Sequence, residues 1–314
     1  MKITKWNGKP ISKPGWYSGI PIERYHSAGM CDGPAVSSTD LRTCWSKSRA
    51  HMFAFWAENP KRIERPTSRA MILGSAAHHL FLGEDGFSRK FIQQKLTYRD
   101  KKTAEEKPWN NNAEVCKKWN AEQEAKGLSI VTAKELDAIK MMAWSMQADP
   151  WVQTGILEGE VEVSGFVKDA ETGLWIKVRP DVIPTASGDY VDLKTAAEVT
   201  TPALQYSIRS YGYNMQGALV GEVAQQILTE IPFASFWLMF IETVAPHCAR
   251  AVKLTDEDLT TGNKQNRSSL RKIALCIEEG RWPGPGADEP ETIGISLDER
   301  ERVKARLERE GLWS

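Results

Sequence analysis

The sequence predicts an α/β fold in which helices flank a mixed central β-sheet. Short apolar segments separated by turn-forming residues lie between residues 160 and 194, a pattern typical of β-strands. Longer helical segments precede and follow them, and two further apolar segments, near 235–244 and 248–254, predict additional strands. With 314 residues, 41% of them hydrophobic and 26% charged, the chain can form one large globular domain or two small ones.

The first half of the chain is predicted to be mainly helical. Four helices are expected, over 37–56, 67–82, about 111–126 and 133–147. Thr132 and Glu135 have the spacing of a capping box at the start of the fourth helix. The charged segment Tyr98–Pro108 has no clear apolar pattern and is predicted to be a mobile loop.

The central part of the chain predicts three consecutive strands, over 160–168, 174–183 and 190–194. The residues between them, Asp169–Gly173 and Thr185–Asp189, are turn-formers, which favours an antiparallel meander. Side chains alternate along a strand, so Asp192 and Lys194 are expected on one face of the sheet and Leu193 on the other.

A long helix over about 202–228 is predicted after these strands, because Pro202 suits a first turn capped by Thr201. Another helix follows Thr255, and Gly280–Pro290 has the composition of a linker. A charged helix over Ser296–Glu310 ends the chain. The predicted organisation is an N-terminal segment (1–24), one main domain (25–282), and a linker with a C-terminal helix (283–314).

Acidic residues and a lysine fall close together on the predicted strands. Asp181 ends an Arg-Pro-Asp sequence, Asp192 and Lys194 follow on the next strand, and Glu162 precedes them. Carboxylates are the ligands that Mg²⁺ prefers, and one or two such ions can activate water at a phosphodiester. A lysine beside them can stabilise charge on the phosphate or help to deprotonate the water. The alternative is a surface meander with ordinary exposed acids.

The set Glu162, Asp181 and Asp192-Leu193-Lys194 resembles the PD-(D/E)XK nuclease superfamily. Within it, the chain is most similar to the RecE-type exonucleases (exonuclease VIII family) and more distantly to lambda exonuclease. Further segments carry the same likeness in the family's order: Tyr25-His26, Gly33–Leu41, Leu73–His78, Asp169–Asp181 and Tyr211–Gln216. The resemblance runs from about Tyr25 to about Trp282 and leaves the C-terminal tail unmatched.

This resemblance implies a restriction-endonuclease-like core and a role for each matching residue. The implied metal ligands are Asp181, Asp192, the Leu193 carbonyl, His78 and, at a second ion, Glu162. The resemblance makes Lys194 the catalytic lysine and places Gln216 and Tyr213 along the active site or the DNA path. It also implies that Ser37 or Ser38 contacts a terminal 5′-phosphate.

Three of these residues, His78, Tyr213 and Gln216, also have purely structural explanations. Helical spacing places His78 on a face rich in small and apolar residues, where a lone histidine is more often a hydrogen-bonded core residue than a ligand. Imidazole is also a less usual ligand for Mg²⁺ than for Mn²⁺. Tyr213 and Gln216 lie on a helix face that often forms only a boundary layer.

The activity implied by the resemblance is a processive 5′→3′ exonuclease on linear double-stranded DNA. It would release 5′-mononucleotides and leave 3′ single-stranded overhangs for recombination by single-strand annealing. Mg²⁺ is the implied cofactor, with Mn²⁺ as an alternative and two ions per site. The implied partners are DNA ends, further subunits in a tetrameric or trimeric ring, and an annealing protein, in a phage or prophage setting in a bacterial host cell. The alternatives are a structure-specific endonuclease and a non-catalytic DNA-binding protein that retains the fold.

Composition sets broader bounds. Basic and acidic residues number 41 each, so any DNA contact must come from the distribution of charge rather than from its sum. No apolar run reaches the length of a membrane span, and the N-terminal residues lack the apolar core of a signal peptide, which predicts a cytoplasmic protein without membrane contact. The five scattered cysteines include no CxxC pair and are expected to be free thiols.

Overall fold

The computed structural model describes residues 2–64, 67–82, 87–227, 231–287 and 291–313. Its strands are β1 (Ile3–Lys5), β2 (Gly15–Ser18), β3 (Ala35–Ser37), β4 (Phe91–Gln93), β5 (Thr97–Arg99), β6 (Glu106–Pro108), β7 (Ser129–Val131), β8 (Gly159–Val161), β9 (Ser164–Lys168), β10 (Trp175–Val178), β11 (Val182–Pro184), β12 (Asp189–Ala196), β13 (Ser235–Glu242) and β14 (Ala249–Lys253). Its helices are α1 (Ile22–Tyr25), α2 (Ser38–Ser46), α3 (Arg49–Phe55), α4 (Arg69–Phe81), α5 (Phe87–Lys90), α6 (Glu114–Ala125), α7 (Ala133–Ala148), α8 (Pro150–Gln153), α9 (Thr201–Tyr211), α10 (Tyr213–Gln226), α11 (Asp256–Glu279) and α12 (Leu297–Arg309).

Two five-stranded mixed sheets form the centre of the described structure. The first has the strand order β1-β2-β9-β10-β3, and the second has the order β14-β13-β12-β11-β8. In the second sheet β12 and β13 pair in parallel, with Asp192 opposite Leu238, and the other neighbours pair antiparallel. The predicted α/β class with a mixed sheet and flanking helices is confirmed, but the strands divide between two sheets.

That division corrects the predicted meander. The segment 160–168 splits into β8 and β9 at Glu162, which has a φ of 56°, and 174–183 splits into β10 and β11 at Arg179–Asp181. The antiparallel pairing was predicted correctly, but the first two predicted strands each contribute to both sheets, whereas the third forms β12 of the second sheet alone. Pro180 explains part of the second break, because it has no N–H to continue a ladder.

The predicted long helix over 202–228 is also divided. Gly212 adopts a left-handed conformation with a φ of 63°, ends α9 and begins α10. A side chain at this position would be strained, and its Cβ would lie 3.0 Å from Cδ of Arg42. Residue 228 lies outside the described part of the chain.

Two predictions in the first half also need correction. Tyr98–Pro108 forms a hairpin in which Tyr98 pairs with Lys107, not a loop. The helix expected over 37–56 consists of the end of β3 followed by α2 and α3, because Ser48 accepts a hydrogen bond from the N–H of His51 and begins a new helix.

The remaining helix and strand predictions agree with the structure to within a few residues. The capping box of Thr132 and Glu135 begins α7 as expected. The linker prediction extends over residues 288–290, which are outside the described residues. No helix of the described residues is both long and apolar enough to cross a membrane.

The second sheet is covered on both faces. Phe236, Leu238 and Phe240 of β13 belong to a core that includes α10, α11 and α2. On the opposite face, Leu193 and Met239 belong to a core formed with α4 and α7. Strand β12 is therefore enclosed between two helical layers.

Candidate active site

The edge of β12 that faces β11 opens after a single paired position. Val182 of β11 pairs with Val191 of β12, whereas β12 continues beside β13 as far as Ala196. The carboxylate of Asp181, placed at the break before β11, accepts the Leu193 N–H at 2.7 Å through Oδ2. The acid therefore replaces the missing strand partner, which fixes its side chain beside the open edge.

Asp192 lies on the α10 face of β12 and is 2% exposed. Its Oδ1 accepts a hydrogen bond from Nε2 of Gln216 at 2.9 Å, and its Oδ2 forms an ion pair with Nζ of Lys194. The same Nζ lies 4.9 Å from the ring centroid of Tyr213. The predicted alternation on β12 is confirmed, and the start of α10 brings Tyr213 and Gln216 to the strand.

His78 approaches the same edge from α4. Its Nε2 lies 3.2 Å from the Leu193 carbonyl oxygen, and its Nδ1 lies 3.4 Å from Oδ1 of Asp181. The helix that carries it packs closely on β12, since a Cβ at Gly74 would lie 3.5 Å from Oγ1 of Thr195. The side chain predicted from the glycine- and alanine-rich helix thus touches both the acid and the backbone of the site.

The charges of the site perturb one another. Burial lowers the pKa of His78, but the Asp181 carboxylate outweighs it and raises the pKa above its usual range. The reverse holds for Asp181, whose pKa is lowered despite burial, chiefly by His78. Burial and the nearby Asp181 charge raise the pKa of Asp192. For Lys194, burial is outweighed by Asp192 and the pKa is raised. Two carboxylates therefore share a poorly solvated site that favours additional positive charge.

The donor set fits a hard divalent cation. Asp181, Asp192 and the Leu193 carbonyl supply oxygen, and a buried Oε1 of Gln216 has no hydrogen-bond partner in the described structure. Among the described residues no group of three or more His, Cys, Asp or Glu side chains is arranged to hold a metal by itself. An ion here would therefore need the backbone carbonyl and water as well, which is how Mg²⁺ is commonly bound.

Glu162 lies in a cleft beside this group that Asp181 and His78 line but Asp192 and Lys194 do not. The cleft has a volume of about 480 Å³ and is lined by His78, His79, Asp181 and Glu162, among other residues. Glu162 is exposed, and its charge acts on His79. The structure thus brings Glu162 to the cleft without placing it in the hydrogen-bonded group around β12.

The sequence matches the model of a family described as a PDDEXK-like domain of unknown function (DUF3799), over residues 37–291. The chain belongs to this family. The match supports the prediction of a nuclease of the PD-(D/E)XK superfamily, whose members generally use divalent metal ions. The closer likeness to RecE-type exonucleases stays a prediction.

One of the similar solved structures has the same fold. A protein from Eubacterium rectale named as a candidate exonuclease shares 16% identity with a TM-score of 0.55, covering 85% of this chain and 92% of that one. At this identity the likeness shows the fold alone. An alkaline exonuclease from Laribacter hongkongensis gives 14% identity over 54% of this chain and 84% of that one, with a TM-score of 0.26, too low to compare the folds. No curated protein matches the sequence significantly.

Ser37 and Ser38 do not line the candidate active-site cleft of this PDDEXK-like chain. Ser37 begins α2, and its N–H and hydroxyl both donate to Asp40, at 2.8 and 2.7 Å. It lines a second cleft, of about 550 Å³, together with His26, Arg62 and Lys177. The hydroxyl oxygen of Ser38 is buried and has no hydrogen-bond partner among the described residues.

The sequence argument missed Lys177 as a site residue. It is 2% exposed on β10, opposite Ser37 of β3, and its Nζ donates to the Tyr25 carbonyl at 2.7 Å. A lysine inside the apolar sequence Leu174–Val178 was the available signal, because a buried charge without a clear reason often marks a functional position.

Proposed function

We propose that this protein is a metal-dependent exonuclease that degrades linear double-stranded DNA in the 5′→3′ direction. The observation that carries the proposal is the meeting of Asp181, Asp192, the Leu193 carbonyl and Lys194 at the open edge of β12. Asp181 directly precedes β11, the other three groups lie on β12, and together they include the donor types that a divalent cation and a phosphodiester require.

Asp181, Asp192 and the Leu193 carbonyl would hold the metal, with His78 next to them and Glu162 in the adjoining cleft for a second ion. When bound there, a divalent ion would supply the chemistry of water activation and of charge neutralisation at the phosphate. The Asp181 carboxylate is held by the Leu193 N–H, so its position depends on the backbone of β12 rather than on a flexible contact. Gln216 fixes the rotamer of Asp192 in the same way from α10.

Lys194 supplies the positive charge of the protein at this site. Its ion pair with Asp192 favours the ammonium form, which suits stabilisation of the charge that develops on the phosphate oxygens. Tyr213 lies beneath the ammonium group and restricts its position. Lys194 therefore acts as a positioned cation.

The second cleft supports attack from a 5′ end. Met71 lines this cleft and His78 lines the active-site cleft, seven residues further along α4. At a rise of 1.5 Å per residue the two positions are about 10 Å apart along the helix. A terminal 5′-phosphate bound near Ser37, Arg62 and Lys177 would then lie about 10 Å from the acidic site along α4. Ser38 is included among the residues proposed to contact the 5′-phosphate only because it is adjacent to Ser37.

Further properties are proposed only because the sequence resembles the RecE-type exonucleases. They are processivity, release of 5′-mononucleotides, two Mg²⁺ or Mn²⁺ ions per site, a tetrameric or trimeric ring, and transfer of the 3′ overhang to a single-strand-annealing protein in phage or prophage recombination.

Digestion of linear duplex DNA labelled at the 5′ or the 3′ end, with Mg²⁺, tests the proposal. Closed circular DNA and an Asp192→Ala variant serve as controls. We expect early release of the 5′ label as mononucleotide, an intact circle and an inactive variant. Cleavage of the circle would instead indicate an endonuclease. Failure to cleave with either Mg²⁺ or Mn²⁺ would indicate a DNA-binding protein.

A further inference from the structure

A third concave surface lies outside both clefts, between the β5–β6 hairpin and α6. It has a volume of about 580 Å³, and the aromatic side chains that line it are Tyr98, Trp109 and Trp119. Trp109 and Trp119 meet edge to face with their centroids 5.2 Å apart. We refer to this surface, with Lys95 and Arg99 at its border, as the hairpin groove.

The hairpin groove combines exposed cations with aromatic rings. Nζ of Lys95 lies 5.8 Å from the ring centroid of Trp119, and both Lys95 and Arg99 are exposed. The segment 95–119 contains seven basic and four acidic residues, whereas the whole chain has no net charge. The segment is therefore positively charged, and in the groove itself Lys95 and Arg99 outnumber the one lining acid, Glu106.

Such a combination suits unpaired nucleotides. Aromatic rings stack on exposed bases of any sequence, and lysine or arginine beside them binds the phosphates between those bases. A paired duplex hides its base faces and could use only the charges. The chemistry of the groove therefore distinguishes a single strand from a duplex.

Residues on both sides of the segment 95–119, which forms the groove, line the candidate active-site cleft. Phe91 of β4 and Ser129 of β7 line that cleft, and β4 pairs with β7 in parallel. Lys95 follows Phe91 by four residues, a distance of at most about 14 Å for an extended chain. A stacked strand rises about 3.4 Å per nucleotide, so about four nucleotides span this interval.

We infer that the hairpin groove is a binding site for single-stranded DNA, in which unpaired bases stack on Trp119 and Trp109 while Lys95 and Arg99 contact the phosphates. This site goes beyond the proposed nuclease activity and does not require it. In a working exonuclease it would hold the strand that becomes unpaired next to the cleft.

Fluorescence anisotropy with a labelled oligothymidylate tests the inference. The oligonucleotide lacks a 5′-phosphate, and the full-length Asp192→Asn protein is used in EDTA, so that neither cleavage nor a terminal phosphate contributes. Adding Trp119→Ala should weaken binding by about fivefold to a hundredfold, the range of one lost stacking contact. Lys95→Glu should weaken binding and reduce the dependence of log K on log salt by about 0.7 per lost phosphate contact.

Matched controls come from α7, where Trp144 is 66% exposed and Lys140 is exposed. Trp144→Ala and Lys140→Glu should leave the affinity unchanged. Lys95→Glu alters an exposed side chain, so it remains informative if Trp119→Ala lowers the melting temperature. Unchanged affinity in Lys95→Glu and in a folded Trp119→Ala would overturn the inference. An equal loss of affinity for a blunt duplex would also overturn it.

Discussion

Two lysines in neighbouring sheets have similar surroundings but different partners. Lys177 of β10 lies over Tyr25, with Nζ 5.0 Å from the ring centroid, and Lys194 of β12 lies over Tyr213 at 4.9 Å. Lys177 donates to a backbone carbonyl, whereas Lys194 pairs with the carboxylate of Asp192. Burial lowers the pKa of Lys177, but for Lys194 the effect of burial is outweighed by Asp192 and the pKa is raised.

The pKa values of His26 and His78 are shifted in opposite directions, as are those of the two lysines. Burial, with the nearby charges of Lys177 and Arg179, lowers the pKa of His26 to about 4. The pKa of His78 is raised, because Asp181 outweighs its burial. The difference between Lys177 and Lys194 indicates that the position of a lysine over a tyrosine ring does not by itself define the candidate active site. The acids beside Lys194 suit a divalent cation. Lys177 donates to a backbone carbonyl instead, and Glu23, Asp40 and Glu64 line its cleft together with Arg62.

Removal of the Asp192 carboxylate should deprive Lys194 of its ion-pair partner, so that it resembles Lys177. This change should have the largest effect on the rate of DNA digestion. Asp192→Ala should reduce the initial rate of duplex digestion by about a thousandfold or more, because both the metal and the partner of Lys194 are affected. The rates are measured with 5′-labelled linear DNA. Asp189→Ala, on the same strand but bonded to Ser235, is the matched control and should keep most of the rate. An Asp192→Ala variant with normal activity would contradict the assigned site.

Exchanging each lysine for methionine separates their roles. Lys194→Met should lower kcat by about a hundredfold to a thousandfold with little change in DNA affinity, because a charge aimed at the phosphate is lost. Lys177→Met should mainly raise KM for 5′-phosphorylated ends. Steady-state kinetics on phosphorylated duplexes give both constants. Equal effects of the two changes on kcat would remove the proposed distinction.

Arg62, which is exposed at the second cleft, tests the proposal that a 5′-phosphate binds there. Arg62→Ala should reduce the preference for a 5′-phosphate over a 5′-hydroxyl by about tenfold, the value of one charged hydrogen bond. The preference is the ratio of kcat/KM for two duplexes that differ only in that group. Lys61→Ala, at the exposed neighbouring residue, should leave the ratio unchanged.

A divalent metal should bind at Asp181 and Asp192 but not in the second cleft, and its binding should stabilise the folded protein. At ten times its Kd, a bound ion stabilises the folded protein by about 1.4 kcal/mol. We therefore expect Mg²⁺ or Mn²⁺ to raise the melting temperature by about 2 °C, and EDTA to reverse the rise. Calorimetry detects this without any assay of activity. The shift should disappear in Asp192→Asn and persist in Lys177→Met.

The smallest expected effect concerns His26. Its folded pKa of about 4 lies below the usual value of 6.5, so the unfolded chain takes up the proton first as the pH falls. The contribution to stability is complete above pH 6.5 and is lost towards pH 4, by about 1 kcal/mol after allowance for solvent exposure. NMR titration of the ring should show this pKa, and Lys177→Met should raise it. A value near 6.5 in the unmodified protein would contradict the contrast between the two lysines.

The part of the site that depends on local pattern was predictable. Asp192 and Lys194 share a face because strands alternate, and the placement of both side chains follows from that rule. Asp181 is different, because its position depends on β10 and β11 joining separate sheets. Which sheet a segment joins is decided by distant partners, so the alternating pattern of 174–183 could not reveal the break.

The misassigned elements have similar physical causes. The β5–β6 hairpin has little burial on either face, so its sequence lacks the apolar alternation that signals a strand. The division of the long helix at Gly212 was visible only as one glycine, which helices also tolerate. Lys177 was passed over because its apolar neighbours made the strand look purely structural. The roles of the individual site residues remain predictions until the variants are measured.

The parallel pairing of β12 with β13 also has a consequence during synthesis. Strand β13 ends at Glu242, and the two helices α9 and α10 separate it from β12. Such non-local pairing forms only after the intervening chain exists. A nascent chain released from the ribosome tunnel only as far as α9 contains Asp181, Asp192 and Lys194 but lacks both Gln216 and the strand that fixes β12. We therefore expect catalytic competence to arise late in translation, once β13 has emerged.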